Sequence, residues 1–88
     1  MKPLLTLKKT TVRTSKNSIG AAVRRLRLSQ RTPVSQQDLS GRLAARGILL
    51  DQSAIARIEK GERYVLDYEA VAIAKAFRVP IERLFARR

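Results

Sequence analysis

The 88-residue chain contains no cysteine and no histidine. Without cysteine it has neither a disulfide framework nor a thiolate metal site, a composition that fits a reducing cytoplasm. Without histidine it lacks the usual general base and the commonest metal ligand. Its seven carboxylates show no metal-ligand spacing, and there is no glycine loop of the kind that cradles phosphates. We therefore predict a protein that is not an enzyme and needs no cofactor or metal.

Aromatic residues and long apolar runs are also scarce. Only 5% of the residues are aromatic although 44% are apolar, so the core must consist mainly of Leu, Ile, Val and Ala, as suits packed helices. No stretch approaches the roughly 18 apolar residues of a membrane span. The apolar run at the amino terminus is interrupted by Thr6 and Lys8 and is too short for a signal peptide. The sequence predicts one small domain plus a tail, without a membrane segment.

Negative charge is absent from the first part of the chain. The net charge is +12, and residues 38–82 are neutral overall. Such a polycation attracts polyanions by counterion release, and nucleic acid is the abundant one. The alternative is general solubility or attraction to acidic lipid or protein. Residues 1–37 contain no carboxylate and these cations: Lys2, Lys8, Lys9, Arg13, Lys16, Arg24, Arg25, Arg27 and Arg31.

The composition divides the chain into two parts. Residues 1–17 are rich in Thr, Ser and cations and contain few residues able to fill a core, which predicts a flexible basic arm. This arm either follows phosphates or enters a minor groove, or is a solvated terminus without a role. A short strand that pairs with a partner chain is a further reading. Residues 18–86 form the predicted domain.

Apolar spacing predicts the outer helices of this domain. One helix begins near Ser18, with Ser18 or Asn17 as its cap, and ends near Ser29 because Pro33 disfavours helix at the residue before it. Another begins at Asp67, and a short last helix covers residues 81–85. The residues expected to face the core are Ile19, Ala22, Val23, Leu26, Val71, Ala74, Phe77, Ile81, Leu84 and Phe85.

The central stretch, residues 34–61, contains two start signals and two stop signals. Ser35 and Asp51 are predicted N-caps, each flanked by an apolar pair that can form a hydrophobic staple. Gly47 marks a tight turn and Gly61 ends the second helix. The stretch therefore predicts a helix-turn-helix unit. Part of the apolar segment 48–50 is expected to cover the core.

Two motifs in this stretch carry a family resemblance. S-Q-Q-D-L-S at 35–40 and S-A-I-A-R-I-E-K-G at 53–61 resemble the phage repressor and Cro-type (XRE-like) helix-turn-helix family. The similarity extends from Ile19 to about Phe85. It implies an all-α, five-helix, lambda-repressor-like DNA-binding domain behind the basic arm. The chain departs from the family pattern in a longer turn between Leu43 and Asp51, and in Arg78, where the family usually carries glycine.

The resemblance also implies roles for individual side chains. Gln52, Ser53 and Arg57 match base-contacting positions, and glutamine and arginine can make paired hydrogen bonds to adenine and guanine in the major groove. Gln36 matches a phosphate-contacting position, with an exposed glutamine of no role as the alternative. Lys60 and Arg63 follow the second helix and suit phosphate contacts. The resemblance further implies a structural ion pair between Arg27 and Glu59.

These features predict sequence-specific binding of double-stranded DNA by a cytoplasmic, nucleoid-associated transcriptional repressor, acting as a homodimer on an inverted repeat. The alternative is an antitoxin or co-regulator that mainly docks a protein partner, such as a toxin or regulator, through residues 48–50 and the tyrosines. A third reading is RNA binding through the basic arm. Against it, the sequence shows no aromatic-rich stacking surface.

Overall fold

A computed structural model describes residues 15–85, which form five α-helices and contain no strand. This confirms the all-α, five-helix prediction. Residues 1–14, the larger part of the predicted arm, and residues 86–88 lie outside the described range. The helices are α1 (Gly20–Ser29), α2 (Gln36–Ala44), α3 (Gln52–Glu59), α4 (Asp67–Phe77) and α5 (Glu82–Phe85).

A single aliphatic core joins all five helices. As the scarcity of aromatic residues predicts, its innermost side chains are branched aliphatics, and burial of each stabilises the fold by about 1.5–3 kcal/mol. α3 packs against both α1 and α2, so its inner face is held from two sides. The side chains with the least exposure are Val23, Leu39, Leu43, Ile55, Ile58, Ile73 and Leu84.

The predicted caps fix the ends of α2 and α3. The Ser35 hydroxyl accepts a hydrogen bond from the Asp38 amide at 2.9 Å, and the Asp38 carboxylate accepts one from the Ser35 amide at 3.2 Å. The Asp51 carboxylate accepts from the Ala54 amide at 2.8 Å. Gly47 and Gly61 have φ of +81° and +75°, a region that glycine enters without steric cost. The start and stop signals are therefore confirmed.

The long turn between α2 and α3 packs onto the domain through alternate residues. Leu50 is buried and Ile48 packs partly against the core, whereas the side chain of Leu49 is 86% exposed. The turn begins with amides of Arg46 and Ile48 that both donate to the Leu43 carbonyl. Two of the three apolar residues thus cover the core, and the third faces solvent.

Two assignments to the core were wrong. Val71 is 39% exposed, because the inward face of α4 consists of its alanines together with Ile73 and Phe77. Phe85 is 54% exposed, because Leu84 alone occupies the inward position of the one-turn helix α5. Leu66, which directly precedes α4, is also exposed, at 49%.

Arg78 ends α4 in the left-handed conformation, with φ 59° and ψ 42°. A side chain in this region costs roughly 1 kcal/mol relative to glycine. We therefore expect Arg78→Gly to raise the free energy of unfolding by about 1 kcal/mol in urea titrations. Arg78→Ala keeps the Cβ atom and serves as the control, with little change expected. Equal stabilisation by both variants would show that charge, and not backbone strain, limits stability here.

Candidate nucleic-acid interface

The side chains of α3 separate into a buried face and an exposed face. Ile55 and Ile58 are buried in the core. Gln52, Ser53 and Arg57 are all exposed, and Ser53 and Arg57 lie one helical turn apart. The structure thus brings the three predicted base-contacting side chains together on the solvent side of one helix. Residues 48–50 do not bury them.

A buried ion pair holds α3 against α1. Arg27 Nε donates to Glu59 Oε2 at 2.8 Å and Arg27 Nη2 donates to Glu59 Oε1 at 3.0 Å, a paired geometry. The side chains of Arg27 and Glu59 are only 11% and 5% exposed. Arg27 Nη1 also donates to the Val34 carbonyl at 3.0 Å. The hydrogen bonds and charge of Glu59 raise the pKa of Arg27 despite its burial, so the guanidinium remains charged and pinned.

A hydrogen-bond chain connects this ion pair to the exposed face of α3. Gln36 Nε2 donates to Glu59 Oε1 at 3.1 Å, and Gln52 Nε2 donates to Gln36 Oε1 at 3.3 Å. A carboxylate only accepts, so Gln36 must turn its amide nitrogen toward Glu59 and its oxygen toward Gln52. The direction of each amide is therefore set by Glu59. Gln52 retains its Oε1 and one N–H for a ligand.

The hydrogen bonds to Glu59 and Gln52 give Gln36 two protein partners, which the sequence did not predict. Its side chain is half-buried at the start of α2, and its Nε2 is used by Glu59. The amide retains a second N–H, and the backbone amides at the helix start lack helical partners. Contact between Gln36 and a phosphate therefore stays a prediction, alongside the contact with Gln52 that the structure contains.

The two cations predicted to follow α3 occupy different environments. Lys60 is exposed at the end of the helix. Arg63 is half-buried, and its Nη1 and Nη2 donate to the Glu69 carboxylate at 3.0 and 3.3 Å. Arg63 Nη1 also donates to the Tyr64 carbonyl at 2.8 Å. Arg63 thus fixes the connection between α3 and α4. Of the two cations, only Lys60 has a charged group that is free to contact a ligand.

The Arg63 and Glu69 pair also caps α4. Glu69 Oε1 accepts from the Leu66 amide at 3.0 Å at the start of that helix. Burial raises the pKa of Glu69, but the Arg63 and Leu66 hydrogen bonds and the Arg63 charge outweigh it, so the pKa lies below its ordinary value. The available sequence signal was a glutamate in the first turn of α4, six residues after an arginine.

Asn17 joins the start of α1 to the end of α3. Its Oδ1 accepts from the amides of Ile19 and Gly20 at 3.0 and 2.8 Å, as expected of a cap. Its Nδ2 donates to the carbonyls of Ile58 and Arg63 at 3.1 and 2.8 Å. The side chain therefore uses both donors, and it fixes the carboxyl end of α3 in the same contact.

The last residues of the predicted arm contact the folded domain. The Lys16 amide donates to the Gly61 carbonyl at 2.8 Å, and the Lys16 ammonium lies 5.4 Å from the ring centroid of Tyr64. Lys16 and Asn17 thus bond to the α3–α4 connection, through the Lys16 backbone amide and the Asn17 side chain. The assignment of residues 1–14 to an arm lies outside the described range.

A cleft of about 670 Å³ lies beside the exposed face of α3, between α1 and the start of α2. Arg24, Gln36, Gln52 and Lys60 line it, and the one carboxylate in its wall is Glu59, which is neutralised by Arg27. Arg24 is one of the cations of residues 1–37, and the sequence did not assign it to this site. The cleft combines free cations with hydrogen-bonding groups, a combination suited to a phosphate backbone.

Residues 15–85 contain no cluster of three or more side chains able to ligate a metal. Within the same range, every helix is too short or too polar to cross a membrane.

Comparison with known proteins agrees with this geometry. The family model described as helix-turn-helix matches residues 24–84, more than half of the chain. No curated protein and no solved structure gives a significant match. The matched range contains both α2 and α3, and with them the exposed face of α3. The chain belongs to the helix-turn-helix family of the phage repressor and Cro type, whose members are DNA-binding regulators of transcription.

Proposed function

We propose that this chain reads the sequence of double-stranded DNA through the exposed face of α3 and acts as a transcriptional repressor. The observation that supports this most directly is the common exposure of Gln52, Ser53 and Arg57 on a helix whose other face is fully buried. A helix of this kind fits the major groove, where each base pair has its own pattern of donors and acceptors.

The hydrogen-bond chain from Glu59 supports a definite reading by Gln52. With one N–H committed to Gln36, the Gln52 amide still offers one donor and one acceptor side by side. That pair complements N7 and the amino group of adenine. Arg57, exposed and one turn beyond Ser53, suits the two acceptors of guanine.

Cations and helix ends around α3 supply the contacts that set register. Lys60 and Arg24 both line the cleft next to Gln36, and both are exposed and free to meet phosphates. Arg63 can contribute only through the donors that Glu69 and Tyr64 leave free. These contacts make affinity dependent on salt but carry no sequence information.

Repression follows from occupancy of the operator by two copies of the chain. A module of this size buries little surface on DNA, so two copies about one helical turn apart are the usual route to useful affinity. We therefore propose a homodimer on an inverted repeat. Duplexes selected from a random pool should contain two half-sites of inverted sequence, and enrichment of a single unrepeated site would contradict the dimer.

Substitutions on α3 separate base reading from phosphate binding. We expect Arg57→Ala to reduce the preference for the selected duplex over a scrambled one by about 1–3 kcal/mol, since it removes a paired base contact. Lys60→Ala should weaken both duplexes alike and reduce the salt slope by about one. Fluorescence titrations at several salt concentrations measure both. Equal affinity of the unmodified chain for both duplexes at every salt concentration would refute sequence-specific binding.

Docking of a protein partner has less structural support. Of the apolar segment that was to form its surface, Ile48 and Leu50 are turned into the domain and only Leu49 is exposed. Tyr64 and Tyr68 remain exposed, at 68% and 57%. A toxin or regulator that binds stoichiometrically after nuclease treatment, with no selected duplex recovered, would favour this alternative.

A further inference from the structure

A second group of cations lies where α2 and α4 end. Arg42, Arg46 and Arg78 are exposed around a hollow of about 680 Å³, and the exposed Lys75 lies in the last turn of α4. No carboxylate lines this hollow. We propose that this cluster, the α2–α4 cluster, binds the phosphate backbone of a second DNA duplex without regard to sequence, so that one domain holds two duplexes.

Contacts with the end of α4 hold two of these guanidinium groups in place. Arg42 Nη1 donates to the Ala76 carbonyl at 3.2 Å, and Arg46 Nη2 donates to the Lys75 carbonyl at 3.3 Å. Both carbonyls lie in the last turn of α4, where i+4 amide partners are missing, and the Lys75 carbonyl also accepts from the Arg78 amide at 3.0 Å. A guanidinium has five N–H donors, so most of the donors of Arg42 and Arg46 remain free for phosphate oxygens.

The cluster keeps a net positive charge although it lies at the carboxyl ends of two helices. The carboxyl ends of α2 and α4 each carry about half a negative charge, which together is small beside four cationic side chains. Asp38, one turn before Arg42 on α2, is held in the capping box of Ser35. The cluster therefore offers an anion a field that nearby carboxylates do not cancel.

The position of the cluster keeps it apart from the cleft beside α3. Gln36 lines that cleft at the start of α2, and Arg42 follows six residues later. At about 100° and 1.5 Å per residue, the two side chains point roughly 120° apart and are separated by about 9 Å along the axis. Gln36 and Arg42 therefore face different sides of α2, and the cleft and the hollow share no lining residue.

The lining of the hollow favours DNA over an acidic protein. Protein interfaces depend on apolar and aromatic anchors that fill pockets, whereas phosphate contacts need only cations and donors. Within residues 15–85, none of the large exposed apolar side chains lines this hollow. Those side chains are Leu28, Leu49, Tyr64, Leu66, Tyr68, Val71 and Phe85.

A bridging assay with the full chain tests the proposal. One duplex is fixed to beads, a second dye-labelled duplex of unrelated sequence is added, and its retention is measured at several salt concentrations. We expect the unmodified chain to retain the second duplex at low salt. The triple variant Arg42→Gln/Arg46→Gln/Arg78→Gly should lose most of this retention, with a salt slope lower by about one per cation removed.

A variant of equal net charge provides the control. Arg25, Arg31 and Arg83 are exposed and line neither the cleft nor the hollow. Arg25→Gln/Arg31→Gln/Arg83→Gln should retain the second duplex nearly as well as the unmodified chain. Equal loss in the two triple variants would overturn the proposal, because bridging would then follow net charge alone.

Other outcomes are equally decisive. Bridging that persists in the cluster variant would mean that two α3 faces of a dimer hold the two duplexes, and the proposal would fail. Capture of poly-glutamate without capture of a second duplex would overturn it in favour of an acidic protein partner.

If the triple variant does not fold, Arg78→Gly alone is used to test the bridging, since it removes one cation at a position where glycine relieves backbone strain. Its binding to the first duplex, followed by anisotropy, should be unchanged.

Discussion

Gly20→Ala should destabilise the domain by about 3 kcal/mol, near the upper end of typical overpacking costs. A Cβ atom at Gly20 would overlap the carbonyl oxygen of Ile58 and lie 2.9 Å from that of Glu59. Both are backbone atoms in the last turn of α3, so no side-chain rotation can relieve the clash. α1 and α3 would have to move apart, and the Asn17 bridge between them would be stretched.

Gly41→Ala is the matched control for this prediction. Gly41 lies inside α2, and a Cβ atom there would meet nothing within 4 Å. Alanine is the better helix former, so this variant should be more stable by about 0.5–1 kcal/mol. Urea unfolding followed by far-UV circular dichroism measures both. Stabilisation by both substitutions would show that α1 and α3 approach less closely than described.

Local signals in the sequence predicted most of the fold. Ser35 and Asp51 cap helices by bonding to amides three residues later, and Gly47 and Gly61 end them by their own backbone conformation. Such signals depend on neighbours in the chain, which the sequence contains in full. Arg78 shows the same logic, because its place after α4 required a left-handed residue whatever its side chain.

The phase of α4 was less predictable. The prediction placed Val71 inward together with Ala74 and Phe77, and paired Val71 with Leu66 as a hydrophobic staple at the start of the helix. In the structure, Ala70, Ile73, Ala74 and Phe77 form the inward face at the spacing of a helix. A helix rich in alanine is apolar on most sides, so its pattern does not state which side meets the core. That choice is made by the partners of the helix.

Contacts between distant residues were the part of the site that the pattern alone could not supply. The resemblance implied the pair of Arg27 and Glu59, which lie 32 positions apart and which no local spacing would connect. The link from Gln36 to Glu59 joins residues 23 positions apart. These pairings depend on how α1, α2 and α3 cross, which the sequence does not encode locally.

Glu59→Gln should cost about 3 kcal/mol or more of the free energy of unfolding, because it leaves the buried Arg27 charge without its partner. The substitution keeps the shape of the side chain but replaces an accepting oxygen with an N–H group. That group would face the donors of Arg27 or of Gln36, which now both point at Glu59. A small domain has roughly 5–15 kcal/mol of stability in total, so the loss is severe.

Loss of the Glu59 carboxylate should also weaken base discrimination, because Glu59 orients Gln52 through the hydrogen bonds of Gln36. Without an obligate acceptor at position 59, the amide of Gln36 is free to reverse, and the direction of the Gln52 amide is no longer fixed. We expect weaker discrimination at the base that Gln52 reads, measured with selected and point-substituted duplexes at a temperature where the variant is folded. Glu62→Gln, with the same charge change at an exposed residue, is the control and should alter neither stability nor discrimination. A Glu59→Gln variant that is as stable as this control would show that the ion pair contributes no more than an exposed one.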